Sequence, residues 1–113
     1  MKQFALYNGL ISSLPFAIGS KLFAYPGAAP VISANGNSNG IVWALQVDAY
    51  ASSGSANLRA YDAANMSREL YNSKQNYGRD NAGPAVKFTV PTVANGKRYV
   101  PTQTELDVYG LLP

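Results

Sequence analysis

Four Asn-Gly pairs punctuate the chain: Asn8-Gly9, Asn35-Gly36, Asn39-Gly40 and Asn95-Gly96. Asn and Gly both tolerate positive φ, so the pair suits tight turns between strands. All four lie beside β-rich segments, which points to short antiparallel strands. One stretch resists that reading. "RAYDAANMSRELYNS", residues 59–73, is rich in Ala, Leu, Arg and Glu, all good helix formers. It fits an amphipathic helix over 56–72, with Leu58, Tyr61 and Leu70 leaning on a small sheet. It also fits a strand over 57–62, a turn at Asp62-Ala63-Ala64-Asn65 and a second strand over 68–72. The choice fixes the fold class.

The surrounding segments favour strands. In "GIVWALQVDAY", residues 40–50, Ile41, Trp43, Leu45 and Val47 fall on one face by the two-residue period. Val42 and Ala44 lie on the other face, followed by Gln46 and Asp48. This pattern predicts an inner strand, buried on both faces at its start and half-wet at its end. Upstream, Tyr25-Pro26-Gly27 signals a turn, and Pro30 opens a short strand through Val31 and Ile32. Downstream, residues 88–112 read as strand, Asn-Gly turn, short strand at 98–100, polar turn, and strand at 106–111.

The two regions resemble one another. Pro30-x-Ile32 precedes Asn35-Gly36, and Pro91-x-Val93 precedes Asn95-Gly96. Each unit ends in an apolar strand with an aromatic, around Trp43 and Tyr109. The Pro-to-Pro spacing is about 60 residues, somewhat longer than the ~40–50 of a propeller blade. In this repeat frame the two-strand reading of residues 57–72 prevails. Leu58 and Ala60 then share one face, and Arg59 and Tyr61 the other.

The run from Ala60 to Tyr71 resembles the blade signature of pyrroloquinoline-quinone-type (quinoprotein-like) β-propellers. That signature has Ala, any residue, Asp, a Thr-Gly turn and then an aromatic, usually Trp. Here Ala60 and Asp62 match, Asn65-Met66 stands for Thr-Gly, and Tyr71 stands for Trp. Residues 30–45, including Trp43, look like the inner two strands of a blade in bacterial propellers of this type. Residues 90–97 look like the start of the next blade, with Arg98 and Pro101 where the family commonly has Val and Gly. Residues 4–10 look like the outer turn of a preceding blade. The resemblance implies an all-β fold: an incomplete β-propeller of about two blades of four-stranded antiparallel sheet. Residues 1–24 would end one blade, 25–76 form a complete one, and 84–113 form most of the last. A propeller closes with ~4–8 blades, so the chain resembles the C-terminal end of a larger one.

Composition narrows the function classes. Hydrophobic residues make up 47% and charged residues 13%, which disfavours disorder. The net charge is +3, but the basic residues are scattered and only Lys97-Arg98 are adjacent. Without a clustered basic face, no nucleic-acid partner is expected. The chain has no Cys and no His, so it lacks a thiolate site, the commonest general base and the commonest metal ligand. No apolar run approaches the ~20 residues of a membrane helix. Asn8, Gly9, Ser12, Ser13 and Pro15 interrupt the N-terminal apolar stretch, so no signal peptide is expected. The compartment stays open; the resemblance implies a periplasmic or secreted protein.

Candidate chemistry is sparse. The carboxylates are Asp48, Asp62, Glu69, Asp80, Glu105 and Asp107, and their spacing selects no catalytic pair. Asp62 reads as a turn former, and Glu105 and Asp107 as solvent-facing residues on one strand face. Arg68, Tyr71, Lys74, Tyr77 and Arg79 interleave basic and aromatic residues, a candidate surface for stacking on sugars or bases. The polar segment 73–84 reads as a connection between blades. Enzymes of the family bind a quinone and a calcium ion near the ring axis, using several blades. None of those ligands matches a residue here, so no cofactor is expected in this chain; quinone and calcium belong only to an active parent propeller. The expected function is a non-catalytic propeller segment acting as scaffold or interaction surface. Its partners would be the remaining blades or further copies of itself. The alternatives are the tail of a quinone-dependent dehydrogenase and a small carbohydrate-binding β module.

Overall fold

Residues 57–62 and 65–72 form two strands joined by a turn, not a helix. The computed structural model describes residues 1–112. Its strands are β1 (Lys2–Gln3), β2 (Leu6–Tyr7), β3 (Leu10–Ile11), β4 (Ala17–Ile18), β5 (Val31–Asn35), β6 (Ser38–Gln46), β7 (Asn57–Asp62) and β8 (Asn65–Asn72). After a short helix α1 (Tyr77–Asp80) come β9 (Thr92–Ala94), β10 (Lys97–Pro101) and β11 (Leu106–Tyr109). The fold is all-β. Its centre is a four-stranded antiparallel meander, β5-β6-β7-β8. A three-stranded sheet, β11-β10-β9, and the two-stranded ribbons β1-β4 and β2-β3 complete it. Among the described residues no sheet closes into a barrel.

Tertiary packing explains why β7 and β8 override local helix propensity. A helix over 56–72 would offer one apolar stripe, whereas both faces of β7 are buried. Leu58 and Ala60 join Trp43, Leu45 and Val47 in a cluster that also contains Ala82, Ala85 and Val100. Tyr61, on the opposite face, packs with Val42, Met66 and Ala17. Each fully buried Leu here contributes roughly 2 kcal/mol relative to exposure. The meander is thus a middle layer. The β9–β11 sheet covers one face, and the N-terminal segment lies against the other.

Three of the four Asn-Gly pairs sit at hairpin loops. Asn8-Gly9 and Asn95-Gly96 have positive φ at both residues and join β2 to β3 and β9 to β10 through two-residue turns. Asn35-Gly36 straddles the end of β5 and the loop to β6. Asn39-Gly40 departs from expectation, because it lies inside β6. Asn39, at φ +54, marks the register shift against β5. Gly40 is required by packing: a Cβ there would come within 2.8 Å of the Ala63 Cβ. Its carbonyl accepts the Ala63 N–H at 2.9 Å, seating the β7–β8 turn on β6.

Polar groups lock the layers. The buried Ser73 hydroxyl accepts the Leu58 N–H at 3.1 Å and lies 3.1 Å from Asn57 Oδ1. Gln3 donates to the Ala63 carbonyl at 2.7 Å and accepts the Met66 N–H at 3.0 Å, pinning β1 across the meander. Ala56 donates to the Gly83 carbonyl and Ala85 to the Gly54 carbonyl, tying the entry of β7 to the segment before β9.

Candidate functional site

A groove of about 570 Å³ lies between the meander and the β9–β11 sheet. Strand alternation places its lining. Ile41 and Trp43 come from β6 and Tyr71 from β8; Arg98 comes from β10, and Asp107 and Tyr109 from β11. Arg98 pairs with Tyr109 and Val100 with Asp107 in the β10–β11 ladder. Buried Val100 belongs to the core shared with the meander, so its even-spaced neighbour Arg98 faces the meander too. The end of α1 and the residue after it add Arg79, Asp80 and Asn81 to the lining.

Trp43 is only 8% exposed. Its Nε1 donates to Ser33 Oγ at 2.9 Å, which fixes the ring. The Arg98 guanidinium lies over that ring, 4.1 Å from its centroid. Arg98 Nη1 donates to the Gly96 carbonyl at 2.8 Å, while Nε is buried with no partner. Among the described residues no carboxylate pairs with Arg98. Burial pushes its pKa down, but an arginine starting so high remains a cation.

The groove's two carboxylates are already engaged. Asp80 is held by the Arg79 fork, with Nη2 at 2.7 Å from Oδ2. That pairing with Arg79 holds its carboxyl below the usual range. Asp107 Oδ2 accepts the Gly83 N–H at 3.0 Å. This corrects the expectation that Asp107 faces solvent: it anchors the segment before β9. Tyr109 donates to the Asp80 carbonyl at 2.9 Å. Burial, reinforced by the Asp107 charge, pushes its hydroxyl up to about 12. Burial and then Asp80 raise the Tyr71 hydroxyl as well. Both phenols are therefore neutral donors near neutral pH. Asn81 Oδ1 is buried without a partner.

The interleaved residues chosen from sequence separate in space. Tyr71 and Arg79 line the groove. Arg68 lies 3.4 Å from Asp62 beside the β7–β8 turn, Lys74 is exposed in the following loop, and Tyr77 is exposed on α1. Asp62 caps its turn by accepting the Ala64 N–H at 2.8 Å. Of the blade-signature residues, Trp43, Ala60 and Tyr71 meet in the core between the sheets, with Asp62 at the turn. Sequence reasoning passed over Arg98, Asn81 and Asp107 as site residues. The available signal was Arg98 two residues before the apolar Val100 on one strand. Among the described residues no three acidic, His or Cys side chains converge as metal ligands.

Both outer surfaces of the stack are apolar. On the C-terminal sheet, Leu106 and Val108 point away from the core and are 59% and 52% exposed. On the N-terminal side, buried Ala17 faces inward, so Phe16 and Ile18 face out; Ile18 is 55% exposed. No described helix is long and apolar enough to cross a membrane. Comparison with protein-family models, curated proteins and solved structures gives no match.

Proposed function

We propose that the chain is a non-catalytic segment of a β-propeller, a scaffold whose two apolar flanks dock further sheets of the same kind. The observation that carries this reading is the surface. The chain exposes 7061 Å², against about 6,000 Å² for a self-sufficient protein of its mass. Exposed Ile18, Leu106 and Val108 lie on the two outer faces, with further exposed apolar residues on the β2–β3 hairpin and in loops, while the middle sheet is covered on both sides. A blade meander sandwiched between partial neighbours has this distribution. The resemblance of residues 60–71 to quinoprotein-like blades adds support. The docking sheets belong either to the same polypeptide or to further copies.

Blade-on-blade stacking is heterologous: the N-terminal flank of one unit meets the C-terminal flank of the next. Two variants test it. Ile18→Lys blocks the first flank and Val108→Lys the second. Each alone should stay monomeric in sedimentation velocity, and an equimolar mixture should form a heterodimer through the two intact flanks. Dimerisation of either variant alone, or no complex in the mixture, contradicts flank-to-flank docking of copies.

A further inference from the structure

We propose that the groove between the meander and the β9–β11 sheet binds a small amphipathic organic anion, its carboxylate or phosphate on Arg98 and its apolar body along Ile41 and Leu111. The proposal rests on Arg98 and Trp43 and not on docking at the flanks, although Val108 of the C-terminal flank also borders the groove.

Arg98 carries the argument. A guanidinium has five N–H groups, and this one uses a single hydrogen bond, to the Gly96 carbonyl. It lies over Trp43, 4.1 Å from the ring centroid, and Trp43 is itself fixed by Ser33. The cation is thus immobilised before any ligand arrives, which lowers the entropy cost of binding. Neither groove carboxylate forms an ion pair with it: Asp80 is paired with Arg79, and Asp107, still an anion, accepts the Gly83 N–H. An anion supplies an acceptor to guanidinium N–H groups that the Gly96 carbonyl leaves free. The Tyr71 and Tyr109 rings and Ile41 give the wall its apolar character. A volume of about 570 Å³ lies within the ~300–1,000 Å³ of small-molecule sites. Asn81, which also lines the groove, has a buried, unpartnered Oδ1 that can take a donor on the ligand.

Trp43 is the only tryptophan, so its emission reports on the groove directly. The probes are octanoate, octyl phosphate, octanol and octylammonium, each titrated below its micelle-forming concentration into the full chain. Both anions should change Trp43 emission saturably. Octanol should bind about tenfold more weakly or worse, since it lacks the charge-assisted contact. Octylammonium should give no saturable change. The tighter of the two anions identifies carboxylate or phosphate as the natural headgroup. Arg98→Met, with its strand signal in circular dichroism unchanged, should bind octanoate and octanol alike. Equal binding of octanol or octylammonium and octanoate to the unaltered chain overturns the proposal. So does the absence of saturable change with both anions, and both readouts stand even if Arg98→Met does not fold.

Discussion

At the scale of single residues, buried charge makes the sharpest demands. Arg59 and Glu69 form an ion pair on the face of the meander opposite the groove, with side chains only 10% and 18% exposed. Arg59 Nε also donates to Gln46 Oε1 at 2.8 Å. Removing one partner strands the other in a poorly solvated place, which costs more than the pair contributes. Glu69→Ala should therefore destabilise the chain by about 3 kcal/mol, and Glu69→Gln, which keeps an acceptor, by less; urea unfolding followed by circular dichroism measures both. Tyr109 gives a pH signature. Its hydroxyl titrates near 12 in the folded chain and near ~10 when unfolded. Folding thus favours the protonated phenol. That stabilisation is complete below about pH 10 and is lost as pH rises toward 12. Urea midpoints across alkaline buffers should fall over this window, and Tyr109→Phe should flatten the fall.

At the scale of elements, the hairpins rest on local chemistry. Asn95-Gly96 occupies a turn with positive φ at both residues, and Gly96 is at φ +72 with open space around it. Gly96→Ala meets no neighbour, so its cost is backbone strain alone. That cost should be about 1 kcal/mol in chemical unfolding, with no change in strand content. The β6 alternation was legible from period-two patterning, whereas the two-strand parse of residues 57–72 came from the repeat frame and the blade resemblance, against local helix propensity. The bulge at Asn39 was not legible, since Asn-Gly suits an interior bulge as well as a turn. Helix α1 was hidden in a polar run, and at four residues it leaves no periodic signal. The groove was legible only in part. Trp43 and Tyr71 stood out as aromatics, whereas Arg98 acquires meaning only when β10 is paired with β11 and laid over β6. Pairing between residues 55 positions apart in sequence has no local trace.

At the scale of the whole molecule, the chain is a flat stack of 44 × 34 × 21 Å. Its radius of gyration is 14.5 Å, against about 13 Å for a compact chain of this length. A sheet covered on one side and apolar on the other favours association, because large exposed apolar patches are disfavoured in isolated soluble chains. The central claim is that this stack is incomplete by itself. The most direct test is the solution mass of the purified chain, measured by light scattering behind size exclusion across a range of concentrations. The account predicts a mass above that of the 12.0 kDa monomer, rising with concentration or settling on a defined assembly. A monomer at every concentration would show that the chain buries what it needs alone, and would contradict the account.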